Sequence, residues 1–315
     1  MSVLANITKG KIIKPALVAI YGPGGVGKTT WASQAPNPIF ICAEAGADHI
    51  DTTRFPIPKH YKDVLACVEA LLAEPHDYQT LVIDSLDWVE HLIFKCICER
   101  YNKASIEQAA GGYGKGYGEA LDEWKSLCKM LSDLREKRGM NIILIAHPLT
   151  ENLVNPQTQF AYQRYELKLH KKSGTRGLIM EFVDALFFAN YEILSLKKDE
   201  QEKVIKTENR VLYGIHDVND GFDAKNRYGL KNPVPMSMPW DKFVELCNIK
   251  PIDLPSIADL TLGVNELIPL IKDEEKKKRV LDYCQKNSQN QGVLFKILER
   301  LKNEVEEQPM LEAGK

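Results

Sequence analysis

The apolar run Ala16-Leu17-Val18-Ala19-Ile20-Tyr21 passes directly into Gly22-Pro23-Gly24-Gly25-Val26-Gly27-Lys28-Thr29, and this junction constrains the fold more than any other stretch. Six uncharged residues in succession read as a strand buried on both faces, the environment of a parallel sheet covered by helices. A glycine-rich turn that ends in Gly-Lys-Thr and opens a helix aims backbone N–H groups and the helix N-terminus at one small volume, which suits a phosphate. Glycines allow the backbone to wrap that closely. Gly22, Pro23, Gly24, Gly25, Val26, Gly27, Lys28, Thr29 and Thr30 are therefore the candidate nucleotide-binding residues. Lys28 is placed to reach the β- and γ-phosphates, and the Thr29 hydroxyl to ligate Mg²⁺.

Downstream, strands and helices alternate. A short helix over 28–35 is stopped by Pro36 and Pro38, and Ile39-Phe40-Ile41-Cys42 reads as a second strand. Val64, Leu65, Val68, Leu71 and Leu72 repeat at helical spacing, and Thr80-Leu81-Val82-Ile83-Asp84 is a strand that ends in a carboxylate. A helix over 86–101 and another over 119–138 flank Gly111–Gly118, whose five glycines in eight residues predict an interruption. Asn141–His147 is a fourth buried strand. The polar stretch of about 35 residues behind it reads as a functional or mobile loop. Strand character returns at 183–194 and 210–216. The expected fold is α/β, a mainly parallel central sheet extended by a hairpin at one edge, over residues 1–250. Residues 251–315 read as a small helical C-terminal extension with a frayed tail, its Leu267, Leu270, Ile271, Val280, Leu281, Leu294, Ile297 and Leu301 serving as packing residues.

Composition narrows the function. With 41 Lys and Arg against 43 Asp and Glu, the net charge of −2 excludes a protein basic all over, so any nucleic-acid contact must come from a local patch. The seven cysteines contain no C-x-x-C pair, which indicates neither a zinc site nor a disulfide framework. No apolar run approaches the roughly 18 residues of a spanning helix, and the opening residues carry no secretory leader. A cytoplasmic location without a membrane partner is expected.

Further candidates stand at strand ends. Asp84, followed by Ser85, fits a carboxylate that holds Mg²⁺ through water. Glu44 lies just past the second strand, at the carboxyl edge where open α/β sheets bind ligands, and reads either as a water-orienting base or as an exposed loop acid. His147 ends the fourth strand at the same edge, either as a γ-phosphate sensor or as a histidine held by a backbone carbonyl.

In this order the parts resemble the RecA-like P-loop ATPase core over about residues 14–230, and more narrowly the phage single-strand annealing recombinases grouped with the AAA ATPases. The resemblance implies that Glu44 is the catalytic base and that His147 occupies the sensor position where that family usually carries glutamine. Lys225-Asn226-Arg227 is similar to the Lys-x-Arg element that DnaB-type helicases insert into a neighbour's ATP site, which makes Lys225 and Arg227 trans-acting candidates. Two loops match the family's DNA-binding loops in order. One carries Tyr113, Lys115 and Tyr117; the other carries Arg164, Lys168, Lys171, Lys172 and Arg176 against the single acid Glu166. The implied cofactors are ATP and Mg²⁺. The implied partners are single-stranded DNA, further copies of the chain in a ring or filament, and a single-strand-binding protein. The implied activity is a DNA-stimulated ATPase in recombination, by strand annealing or exchange. A helicase-like motor and a nucleotide-gated adaptor recruiting a partner through residues 251–315 stay open as alternatives.

Overall fold

The computed structural model describes residues 7, 9–10, 12–43, 49–155, 158–198, 201–215, 221–247, 249, 257–271, 273–286, 294, 297–298 and 301. Contacts divide the chain into two compact units, residues 1–72 with 78–251 and residues 73–77 with 252–315. The chain runs β1 (Leu17–Tyr21), α1 (Lys28–Ser33), β2 (Pro38–Cys42), β3 (Thr53–Arg54), α2 (Tyr61–Ala73), β4 (Thr80–Asp84), α3 (Leu86–Arg100), α4 (Lys115–Lys137) and β5 (Asn141–Ala146). It continues through β6 (Pro148–Val154), β7 (Ala161–Leu167), α5 (Thr175–Phe182), β8 (Ala185–Lys198), β9 (Gln201–Tyr213), β10 (Lys225–Asn226), β11 (Val234–Pro235) and α6 (Trp240–Cys247).

The central sheet has the order β11-β9-β8-β1-β5-β4-β2-β3, with β10 on β8. Its strands from β3 to β8 are parallel, and the β8–β9 hairpin extends it antiparallel on one side. The expected mainly parallel α/β architecture with an edge hairpin is what the chain adopts. Because side chains alternate along each strand, β1 divides its residues between two cores. Leu17, Ala19 and Tyr21 join Trp124, Leu127 and Ile93 on one face. Val18 and Ile20 join Trp31, Trp240 and Phe243 on the other. There Trp31 lies with its ring centroid 5.4 Å from each of Trp240 and Phe243, which anchors the helix behind the glycine loop.

Two local expectations are corrected. The glycine-rich run does not interrupt helix throughout. Gly111, Gly112, Tyr113 and Gly114 all adopt positive φ, whereas Gly116 and Gly118 already belong to α4. Gly116 is required there by contact, since a Cβ would stand 2.2 Å from the Ile106 carbonyl oxygen. The polar stretch after β5 is not a structureless loop either. Its β6–β7 hairpin pairs Pro148 with Leu167 through Val154 with Ala161, and α5 follows. Along β7 the less exposed alternate positions are Tyr162, Arg164 and Glu166, so the packed face of the ribbon is largely polar, a pattern too weak to separate from loop by composition.

In the second unit, α7 (Ile257–Leu267) and α8 (Glu274–Lys286) are joined by a short 3₁₀ turn. Leu260, Val264, Ile268, Ile271, Leu294, Leu298 and Leu301 are buried together, with Leu267, Val280 and Ile297 against them. Leu270 and Leu281 instead stay exposed, at 49% and 38%.

Candidate nucleotide site

Strand register brings the candidate residues to one edge. Tyr21 pairs with Ala146, Cys42 with Asp84, and Asp84 with Ile145. The loop at 22–29, Ser85 and His147 therefore all follow directly from parallel strands that end together, with β5 between the glycine-loop strand and the Asp84 strand. Tyr21 fixes this edge from beneath. Its buried hydroxyl donates to the carbonyls of Asp223 (2.6 Å) and Tyr165 (3.0 Å), and accepts from the Asp223 N–H (2.9 Å). Burial raises the phenol far above its ordinary range.

The loop is closely built. A Cβ on Gly22 would stand 2.1 Å from the Ala189 carbonyl oxygen. Gly27 caps α1 at φ 97°, a left-handed conformation, with the Arg210 guanidinium 3.1 Å from where its Cβ would be. Lys28 is 7% exposed, and its ammonium donates to the carbonyls of Gly22 (2.7 Å) and Pro23 (3.1 Å). The Thr29 hydroxyl donates to Asp84 Oδ2 at 2.7 Å. That pair fits magnesium: a hydroxyl and a carboxylate oxygen from different elements already meet at the mouth of the loop, the hard donors Mg²⁺ takes beside phosphate. On the side of α1 away from Asp84, a cavity of about 800 Å³ is bordered by Gly27, Thr30, Gln34, Asn209, Arg210 and Pro235.

His147 is held by an acid. Its Nδ1 lies 3.0 Å and 3.1 Å from the two oxygens of Asp87, in the first turn of α3. Burial by itself would raise the Asp87 carboxyl, but the hydrogen bond and charge of His147 outweigh it and bring it down to about 2. One turn on, Glu90 is buried and accepts the His170 N–H at 2.9 Å and 3.2 Å. Its desolvation exceeds what these bonds return, so its carboxyl is pushed up to about 7. A Glu90 proton is thus held more tightly in the folded than in the unfolded chain. Stability should fall as pH rises from 4.5 toward about 7 and stay level above. Glu90→Gln removes that slope. Urea unfolding at about pH 5 and about pH 7.5 should show the wild type losing on the order of 2 kcal/mol more than the variant between the two.

The structure separates the proposed DNA-contacting residues. Tyr113 is fully exposed, at 100%, and Lys115, Lys168, Lys171 and Lys172 are exposed as well. Tyr117 is not a presented ring. It stacks on His170 at 4.1 Å, with Phe94 edge-on at 5.7 Å, and so pins the first turn of α4 to the segment that follows β7. Arg176 is buried against Glu166, also buried, and 2.8 Å from Glu151. Arg164 is held 2.5 Å from Glu166 and 3.7 Å from Asp223. These two arginines neutralise acids inside the protein, so the segment presents less positive charge than its sequence suggests.

Lys225 is corrected in the same way. Its ammonium donates to the carbonyls of Met180 (2.6 Å), Glu181 (3.1 Å) and Val183 (2.6 Å). It caps the C-terminus of α5 in its own subunit, where a cation complements the helix dipole. Arg227 is 57% exposed, with a loose 3.4 Å contact to Asp184. Both follow from β10, which pairs with the N-terminal end of β8, at the sheet edge opposite the glycine loop. Glu44 lies outside the described residues.

Asp87, Glu90 and Arg210 were not legible as site residues. An acid in the first turn of a helix reads as a dipole complement, and nothing in sequence marks an arginine more than 180 residues from the loop it overhangs.

No described helix is long and apolar enough to cross a membrane. A family described as "AAA domain" matches residues 14–228. A curated relative, the SPbeta prophage-derived uncharacterized protein YorG of Bacillus subtilis (strain 168), is 24% identical over 211 residues, 66% of this chain. The matched region spans 58% of that relative's length. A crystal structure of the RadB recombinase superposes with a TM-score of 0.35 at 13% identity, covering 64% of this chain and 80% of that one, a likeness too loose to bear on function. With a glycine loop, a Thr29–Asp84 pair and a parallel sheet behind them, and a family match across two thirds of its length, this chain belongs to the AAA-domain family of P-loop proteins.

Proposed function

We propose that the chain is a Mg²⁺-dependent ATPase that assembles on single-stranded DNA and promotes strand annealing or exchange in phage-type recombination. The observation that carries the nucleotide part is the Thr29–Asp84 hydrogen bond of 2.7 Å beside the buried Lys28 ammonium. Magnesium bound there would neutralise charge on the β- and γ-phosphates. Lys28 exchanges its two loop carbonyls for phosphate oxygens, and the N–H groups of 24–29 cradle the rest of the chain of phosphates. The cavity beside α1 has room for a nucleoside, since small-molecule sites commonly enclose about 300–1,000 Å³. Glu44 positions the attacking water, and Arg227 completes a neighbouring subunit's site.

The DNA part rests on Tyr113, Lys115, Lys168, Lys171 and Lys172, an exposed aromatic with four exposed cations. Such a set holds a single strand through phosphates and one stacked base, with little base readout. The recombination assignment rests on the order of elements along the chain. ATP turnover is measured with and without single-stranded DNA, alongside particle size and the annealing of complementary oligonucleotides. Stimulation by DNA with growth in particle size is the expected result; turnover indifferent to DNA, with no annealing, discards the reading in favour of an adaptor. Lys171→Ala combined with Lys172→Ala should retain basal turnover and reduce the salt slope of DNA binding by about 1–2. An unaltered slope removes that segment from the DNA surface.

A further inference from the structure

One carboxylate joins the end of β5 to the basic segment that follows β7. Besides the contacts of its ring, His147 donates its backbone N–H to Asp87 Oδ1 at 3.3 Å. The Lys168 ammonium lies 3.6 Å from Asp87 Oδ2, and the Lys168 backbone N–H donates to the His147 carbonyl at 3.0 Å. The Asp87 side chain is 7% exposed, that of His147 31% and that of Lys168 56%. The acid is thus the buried hub, and the two groups it holds reach outward.

A buried carboxylate that accepts from both the ring and the backbone of one histidine fixes the ring plane and favours the tautomer with its proton on Nδ1. Nε2 then carries the lone pair, and a proton must join it before it can donate to a phosphate oxygen, which itself only accepts. Register sets His147 level with Gly22, the first residue of the glycine loop, because Ala146 pairs with Tyr21. Asp87 stands three residues past Asp84, at the start of the helix that Asp84 leads into. Its commitment to His147 and Lys168 separates its role from that of Asp84, which faces Thr29.

We propose that Asp87 is a positioning residue of the nucleotide site: it holds His147 by Nδ1 so that the ring, taking a second proton on Nε2, donates to the terminal phosphate, and it ties that ring to the basic segment through Lys168. The proposal rests on the nucleotide reading of residues 22–29. A phosphate that draws on the ring then moves Lys168 with it, which gives the exposed cations a mechanical link to the bound nucleotide.

The test uses the full chain, ¹⁵N-labelled, as wild type, Asp87→Ala and the isosteric Asp87→Asn. Without ligand, the wild-type His147 ring should show the Nδ1–H tautomer. Asp87→Ala should lose that preference, and Asp87→Asn should reverse it, because an amide N–H can donate to Nδ1. With magnesium and a non-hydrolysable ATP analogue, the wild-type Nε2 resonance should shift toward that of a protonated ring nitrogen. In both variants that shift should be at least halved at saturating analogue, because Asp87→Ala withdraws the carboxylate that stabilises the imidazolium and Asp87→Asn leaves Nε2 protonated before the ligand arrives. A merely structural role would change the tautomer and lower the melting temperature, yet leave the ligand-induced Nε2 shift at its wild-type size. Unchanged His147 tautomer in both variants, or a full ligand-induced shift, overturns the proposal while leaving nucleotide binding standing. A wild-type chain that binds no analogue overturns the nucleotide reading and the role with it.

Discussion

Lys28→Ala lowers the affinity for ATP by about two to three orders of magnitude, the largest binding effect expected of a single substitution here. The ammonium is buried within the loop, 2.7 Å from the Gly22 carbonyl, so it is held in place before any ligand arrives. Charge-assisted hydrogen bonds to phosphate are about twice as strong as neutral ones, and losing both the bonds and the compensating charge corresponds to roughly 3–4 kcal/mol. Of the two carbonyls released by the substitution, that of Pro23 is part-buried and that of Gly22 buried, so some stability is lost along with the affinity. Titration with a fluorescent ATP analogue measures the loss, and thermal unfolding confirms that the variant is folded. Unchanged affinity in a folded variant would sink the assignment of this loop.

Arg176→Ala carries the largest expected effect on stability, about 3–5 kcal/mol, the usual result of removing one partner from a buried ion pair. Its guanidinium contacts Glu166 and Glu151 and donates to the Leu169 carbonyl at 3.2 Å. Both Arg176 and Glu166 are more than nine-tenths buried, so the orphaned Glu166 would have Arg164 as its remaining cation. Urea unfolding measures the change. Arg176→Met with Glu166→Gln should recover part of it, because the buried charge leaves with its partner. If instead Arg176→Ala unfolds like the wild type and fails only in DNA binding, the internal role assigned to this arginine is wrong.

These two substitutions also mark how far the sequence could be read. Lys28 was legible because its meaning is local: a strand, six intervening loop positions and a helix start are contiguous, and the backbone geometry needed for phosphate is encoded by glycines within a few residues. Arg176 was misread for the opposite reason. Its segment looks basic when counted along the chain, but Glu151 comes from β6 and Glu166 from β7, and the hairpin that sets them against Arg176 was itself taken for loop. Tyr117 and Lys225 were misread similarly. One stacks on a histidine more than fifty residues away, and the other caps a helix through three carbonyls more than forty residues before it. His147 was placed at the right edge, but the residue that orients it could not be named.

By itself the sequence determined the phosphate loop, the four buried parallel strands and the edge at which Thr29, Asp84 and His147 gather. Burial on both faces of a sheet and a glycine-lined turn leave signatures that survive in one dimension. Tertiary structure alone decided which cations are presented and which are consumed, because pairing is settled by distances of a few ångströms between elements far apart in the chain. A desolvated charge must find a partner or be neutralised. Where Glu166 meets Arg176, and where Asp87 meets His147, that requirement assigned the residues their roles.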